Sequence, residues 1–180
     1  MTCMAHKIAE SRGLLTAEDV DLIRELARQL PAPAEVVDLG VGGGTSALAV
    51  LVEARPGDVF VTSYDIDEQN LHWAGVAMRN EGREDDWAGH LRPSLDGVRD
   101  FADGTLDLIL LDTSHEYDDT VAELAAWLPK LRDGVGLMWC HDYVGDYVGC
   151  RRAIDEAVAA GAAYIVVPPG RGLGVVLGRP

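Results

Sequence analysis

Apolar positions along the chain recur in two rhythms that take turns. Val20, Ile23, Ala27 and Leu30 fall at helical spacing, and Leu22 and Leu26 widen the stripe. Thr16, with Asp19 three residues on, reads as a variant capping box ahead of this helix, and Pro31 stops it. Glu35–Leu39 is a short apolar run ending in Gly40, which predicts a buried strand. A helix over Thr45–Glu53 follows, then a strand over Val59–Tyr64 that ends at Asp65, then a helix over Glu68–Asn80. Gly89–Pro93 is a short third strand, and Leu106–Leu111 is the clearest buried strand, ending at Asp112. A helix over Asp119–Leu131, a strand over Val135–Cys140 and a helix over Cys150–Ala160 come next. Two terminal strands, Ala163–Val167 and Leu173–Leu177, flank the turn Pro168–Gly172.

Alternating strands and helices imply parallel strands with helices on both faces, an α/β doubly wound sheet. The last two strands are joined by too short a link for a parallel crossover, so that pair is expected to be antiparallel. Ligands bind such sheets outside the carboxyl ends of the strands. The segment Gly40–Gly44, Asp65, Asp112 and the pair His141-Asp142 all fall at those ends, so one rim would collect them.

Composition narrows the picture. The 180 residues suit one domain, read as an N-terminal helical extension over 1–33 and a core over 34–180. Thirty acidic residues against fifteen Lys and Arg give a net charge of −15, which argues against a nucleic-acid partner. No apolar stretch is long enough to span a membrane, and the N-terminus lacks the apolar run of a signal peptide. Cys3, Cys140 and Cys150 are an odd set without a CxxC pair, which suits a reducing cytoplasm.

The candidate chemistry begins with the loop Asp38-Leu39-Gly40-Val41-Gly42-Gly43-Gly44-Thr45. Glycines allow a sharp bend and close approach of a ligand, and the following helix offers unpaired N–H groups. Asp65, at the end of the next strand, can accept both hydrogen bonds of a ribose diol. The pair implies an adenosine-containing ligand. A nicotinamide fingerprint needs a glycine where Thr45 stands, and no Tyr-x-x-x-Lys pair is present. The D-x-G-x-G-x-G pattern instead resembles the cofactor loop of class I S-adenosylmethionine-dependent methyltransferases, and the likeness runs from Glu35 to Leu177. That resemblance implies a Rossmann-like, mostly parallel seven-stranded sheet with an antiparallel last strand. It places Asp38, Gly40, Gly42 and Gly44 around the methionine part of the cofactor, Asp65 on the ribose, and Ile66 on the adenine face. Ser94 would border the adenine edge. Related small-molecule O-methyltransferases often carry Gly-Asp-Ser there; this chain has Arg92-Pro93-Ser94, which keeps the serine and lacks the carboxylate.

A second cluster follows the fourth and fifth strands: Asp112-Thr113-Ser114-His115-Glu116-Tyr117 and His141-Asp142-Tyr143. It resembles small-molecule O-methyltransferases of the macrocin and catechol type. In those relatives, acids at these positions commonly hold a divalent metal, which implies Asp112 and Asp142 as ligands with His141 beside them. Methyl transfer from a sulfonium is an in-line displacement, so the protein mainly aligns nucleophile and methyl group. A hydroxyl nucleophile must also lose its proton, either to a metal-assisted path or to a base. Two carboxylates are hard donors suited to Mg²⁺, and His115 is the base where no metal acts.

The expected activity is therefore O-methylation of a small hydroxylated molecule, with Asp112, His115, His141 and Asp142 as the catalytic set. N-methylation, or methylation of a sugar or phenol, fits the same residues. A nicotinamide oxidoreductase and a non-catalytic adenosine-binding module are the competing readings; the polar cluster argues against the second. With no domain inserted between the second and third strands, the site is expected to be open or closed by a second subunit. Arg151-Arg152 reads as a solvated helix face, Trp127 and Trp139 as core, and His6, His72 and His90 lack convergent partners. Tyr117, Tyr143 and Tyr147 fit a substrate mouth or loop packing equally.

Overall fold

The central strands are apolar on nearly every position because both their faces are covered. In the computed structural model, which describes residues 15–169 and 172–180, these are β1 (Ala34–Leu39), β2 (Val59–Asp65), β4 (Leu108–Leu111) and β5 (Leu137–Cys140). With β3 (Trp87–Leu91), β6 (Tyr164–Val167) and β7 (Val175–Gly178) they make a seven-stranded sheet in the order β3-β2-β1-β4-β5-β7-β6. The pairs from β3 through β5 are parallel; β7 runs antiparallel to both β5 and β6. This is the doubly wound sheet expected from the alternation, in the seven-stranded Rossmann-like form that the resemblance implied. Cys3, His6, Gly170 and Arg171 lie outside the described residues. Among the described residues no helix is long and apolar enough to cross a membrane.

Successive side chains on a strand point to opposite faces, and two cores result. Val36, Leu108, Leu110, Trp139 and Val176 join the first, against α1 (Ala17–Ala27), α2 (Thr45–Leu51) and part of α3 (Glu68–Asn80). Val37, Ile109, Leu111, Met138 and Leu177 join the second, against α5 (Tyr117–Trp127) and α6 (Val148–Ala159). Helix α2 is buried at every position, which is why its sequence shows no polar face. Trp127 and Trp139 are both core residues.

Several boundaries differ from the sequence reading, each for a physical reason. Helix α5 ends at Trp127 and a 3₁₀ turn takes over, because Pro129 has no N–H to continue the ladder. Strand β3 begins two residues early: Trp87 donates its ring N–H to the Ser63 hydroxyl and packs against the first core. It stops before Pro93. A four-residue helix, α4 (Ser94–Gly97), follows it where no element was expected. Strand β5 starts at Leu137, since the Val135 and Gly136 amides turn back to the Arg132 carbonyl. Helix α1 stops at Ala27, and α2 stops at Leu51, leaving Glu53 free to pair with Arg24 and Arg28 of α1.

The capping box at the start of α1 is present, and its acid does more than cap. Fully buried Asp19 accepts hydrogen bonds from the Thr16 amide and hydroxyl, and its other oxygen accepts from the Leu173 and Gly174 amides ahead of β7. Burial alone would raise its pKa; the adjacent His141 ring and Thr16 outweigh it and hold the carboxyl below the usual aspartate value. The ionised form therefore adds stability at neutral pH that is lost as pH falls through the lowered pKa. Asp19→Ala strands three main-chain donors, and the expected loss is about 3 kcal/mol. Thermal unfolding at neutral pH should show Tm down by roughly 10 °C. An unchanged Tm would contradict this.

Candidate active site

The strand order reverses between β1 and β4, and a crevice of about 820 Å³ opens there at the carboxyl ends of the strands. The bend after β1 builds one wall. Gly40 has φ +84°, and a Cβ on it would sit 1.9 Å from the Asp112 carbonyl oxygen. Its glycine is thus demanded by the close crossing of the β1 and β4 ends. Gly44, also at φ +84°, caps the start of α2 where a Cβ would lie 2.9 Å from the Ala74 Cα of α3, and it does not line the crevice. Gly42 lines it and donates its N–H to Asp65 Oδ2 at 3.1 Å.

Asp38 lies beneath this bend rather than in the crevice. It is fully buried and accepts from the Ser46 and Ser63 hydroxyls at 2.7 and 3.0 Å. Burial pushes its pKa up to about 7 despite those two donors, and the charges of Asp112 and Asp65 add to the rise. Asp65 lines the crevice. Its carboxylate also accepts from the Asp67 amide at 2.8 Å and from the Asn70 side chain at 3.2 Å, so the acid ties the glycine bend to the start of α3. Ile66 beside it is 78% exposed, an apolar side chain with its face turned to the crevice.

Within the crevice lining, Ser94 meets a residue that the sequence reading missed. Glu123 of α5 is only 4% exposed; it accepts a hydrogen bond from Ser94 on one oxygen and from Thr113 on the other. Burial raises its pKa against the pull of both hydroxyls. The signal was available: Thr120, Glu123, Leu124 and Trp127 form the buried stripe of α5, and a carboxyl on such a stripe calls for partners.

The second cluster lines the same crevice. Asp142 adopts φ 55°, the left-handed region that a non-glycine residue enters at a cost. That turn places Asp142 Oδ2 between two imidazoles, 2.6 Å from His115 Nε2 and 3.0 Å from His141 Nδ1. His141 Nδ1 is also 3.2 Å from Asp112, and its Nε2 is 3.7 Å from Asp19. Burial alone would lower the His141 pKa; the surrounding carboxylates of Asp112, Asp142 and Asp19 push it up to about 12. These contacts are ion pairs at short range, and neither ring nitrogen makes a well-directed hydrogen bond. His115 is more open, its side chain 39% exposed, and it stacks on Tyr147 with ring centroids 3.9 Å apart.

Asp112, His115 and Asp142 each offer a donor atom within 4.8 Å of the others. Two carboxylate oxygens and an imidazole nitrogen, beside a buried histidine without directed bonds, fit a divalent cation. The remaining candidates fall outside the crevice lining. Tyr117 and Tyr143 donate to Glu156 and Asp155, and Arg151 and Arg152 bond to the Tyr143 carbonyl and Glu156. His72 is exposed against Trp73, and His90 stacks on Tyr64. Cys140 and Cys150 are buried free thiols.

Solved structures share this architecture. A protein of Corynebacterium glutamicum superposes with a TM-score of 0.79 at 20% identity, covering 97% of this chain and 87% of that one. TomG, the Streptomyces achromogenes O-methyltransferase involved in tomaymycin synthesis, was solved with S-adenosylmethionine; it gives 0.71 at 18% identity, over 96% and 84%. The Bacillus cereus O-methyltransferase, solved with S-adenosylhomocysteine, gives 0.70 at 15% identity, over 96% and 87%. A search of curated proteins finds no match. The model of the methyltransferase-domain family matches residues 37–143, which run from the second half of β1 through the glycine bend and Asp65 to both halves of the polar cluster. With more than half its length so matched, and the sheet order and crevice of that fold, the chain belongs to the methyltransferase-domain family.

Proposed function

We propose that the protein transfers the methyl group of S-adenosylmethionine to a hydroxyl of a small acceptor. The observation that carries this is the junction of two half-sites in one crevice. The Gly40–Gly42 bend, Asp65 and Ile66 form an acceptor-and-apolar wall suited to a nucleoside, and the His115–Asp142 pair lines the same crevice. Structures of relatives with S-adenosylmethionine or S-adenosylhomocysteine bound support the choice of ligand.

In this reading Asp65 accepts from the ribose hydroxyls and Ile66 packs on the adenine. The acceptor hydroxyl lies beside His115. Asp142 holds His115 through Nε2, which leaves Nδ1 to take the proton as the oxygen attacks the methyl carbon. The new C–O bond forms in line as the S–CH₃ bond breaks, and S-adenosylhomocysteine leaves with the bonding pair on sulfur. The Asp142 carboxylate stabilises the imidazolium that results. In the alternative, metal-assisted path His115 does not act as the base: Asp112 and Asp142, with His115 as a third donor, would hold a divalent cation, and when bound it would lower the pKa of the acceptor hydroxyl.

The test is calorimetry with S-adenosylhomocysteine, then transfer of labelled methyl from S-adenosylmethionine to a panel of phenols, catechols and sugars, with and without Mg²⁺. Binding and transfer to at least one hydroxylated acceptor are expected; no binding would sink the reading. His115→Ala should lower turnover by about 10²- to 10⁴-fold while S-adenosylhomocysteine affinity stays within about threefold. Equal turnover in the variant would remove His115 from the reaction.

A further inference from the structure

His115 sits in a stretch without regular structure, between the end of β4 and the start of α5. A side chain on such a segment needs contacts to fix its ring, and the start of α6 supplies them. Gly149 lies so close to the segment that a Cβ on it would stand 3.0 Å from the His115 carbonyl oxygen and 2.9 Å from the Tyr117 amide nitrogen. The neighbouring Cys150 thiol donates to the Ser114 carbonyl at 3.7 Å. With α6 seated this way, Tyr147, the residue just before the helix, lays its ring on the His115 imidazole. The centroids are 3.9 Å apart and the planes lie 21° from parallel. Tyr147 also lines the crevice, which Tyr117 and Tyr143 do not.

Two contacts of different kinds therefore act on one imidazole. Asp142 Oδ2, 2.6 Å from Nε2, fixes one atom at the ring edge and leaves the ring free to swing about that contact. The Tyr147 face removes this freedom, because tilting the imidazole toward it would drive one ring into the other. Resting on the reading of His115 as the base, we infer that Tyr147 is a positioning residue: its ring fixes the plane of His115, and with it the direction in which Nδ1 meets the acceptor hydroxyl. A base must be aligned with the O–H bond it breaks, and a misplacement of about 1 Å costs up to about a hundredfold in rate. The flat ring does this and the phenol hydroxyl does not, so a phenylalanine should serve in its place.

The experiment measures methyl transfer to an acceptor from the panel above for the wild type, Tyr147→Phe, Tyr147→Ala, His115→Ala and the double variant. Tyr147→Ala should lower kcat by about ten- to hundredfold, with the acceptor KM and the S-adenosylhomocysteine affinity within about threefold of wild type. Tyr147→Phe should keep kcat within about threefold. Added to His115→Ala, Tyr147→Ala should cost no more than about twofold further, because the ring it aligns is already gone. A second readout needs no acceptor. The carbon-bound ring protons of His115, assigned in the proton NMR spectrum by their loss in His115→Ala, should move downfield in Tyr147→Ala as the ring current above them is removed. Unchanged kcat in Tyr147→Ala, a loss carried by the acceptor KM alone, a Tyr147→Phe variant as slow as Tyr147→Ala, a full further loss in the double variant, or unmoved His115 signals would each overturn the inference and leave the proposed reaction standing. Equal turnover in His115→Ala, or no transfer by the wild type, would overturn both.

Discussion

Asp65→Ala is expected to weaken S-adenosylhomocysteine binding by about a hundredfold or more. Two charge-assisted hydrogen bonds to the ribose would be lost, at about 1.5 kcal/mol each, and together they approach 3 kcal/mol. A second effect has the same sign. Asp65 holds the Gly42 amide at 3.1 Å and the Asn70 side chain at 3.2 Å, so its removal frees the bend that the ligand leans on. Asp65→Asn should fall between the two, because the amide keeps one acceptor oxygen and loses the charge. Calorimetry of the three proteins gives the order directly. Equal affinity for wild type and Asp65→Ala would show that the sugar is held elsewhere.

Gly40→Ala should destabilise the fold by about 3 kcal/mol or more. The left-handed backbone contributes a modest share, of the order of 1–2 kcal/mol. The larger share is the collision: the new methyl would lie 1.9 Å from the Asp112 carbonyl oxygen and 2.7 Å from its carbon, both main-chain atoms. Relief requires parting the ends of β1 and β4, which the Asp112 amide ties together through the Leu39 carbonyl at 2.9 Å. Gly57 is the control. It too has φ +84°, but nothing lies within 4 Å of its Cβ position, so Gly57→Ala measures the backbone cost alone. Chemical denaturation should rank Gly40→Ala well below Gly57→Ala, and equal losses would contradict the collision argument.

The alternation of strand and helix was legible because buried parallel strands must be apolar on both faces, and Val36-Val37 and Leu108–Leu111 are. Strand limits were less so. Trp87 follows the acidic run Glu84–Asp86, which reads as loop, and only its contact with Ser63 across the sheet draws it into β3. The glycine bend and Asp65 could be found by spacing because both sit at strand ends, where chain order and spatial order coincide. Asp38 could be picked out as an acid, but its burial depends on Ser46 and Ser63 arriving from two other elements. Asp19 was hidden by its own local explanation. The capping box accounts for one carboxylate oxygen, and nothing nearby in the chain announces that Leu173 and Gly174 will claim the other.

The structural difference between Asp112 and Asp142 was equally invisible along the chain. Both follow buried strands and both are acids, yet only Asp142 enters the left-handed region and bridges two imidazoles. Strain of that kind persists where neighbours enforce it, and here the neighbours are His115 and His141.

The most direct measurement is a crystal structure with S-adenosylhomocysteine bound. The account predicts the ribose diol within hydrogen-bond distance of the Asp65 carboxylate and the purine against Ile66. It also places the sulfur near the Gly40–Gly42 bend, on the side facing His115. A crevice left empty at saturating ligand, or a ligand seated away from Asp65, would contradict it.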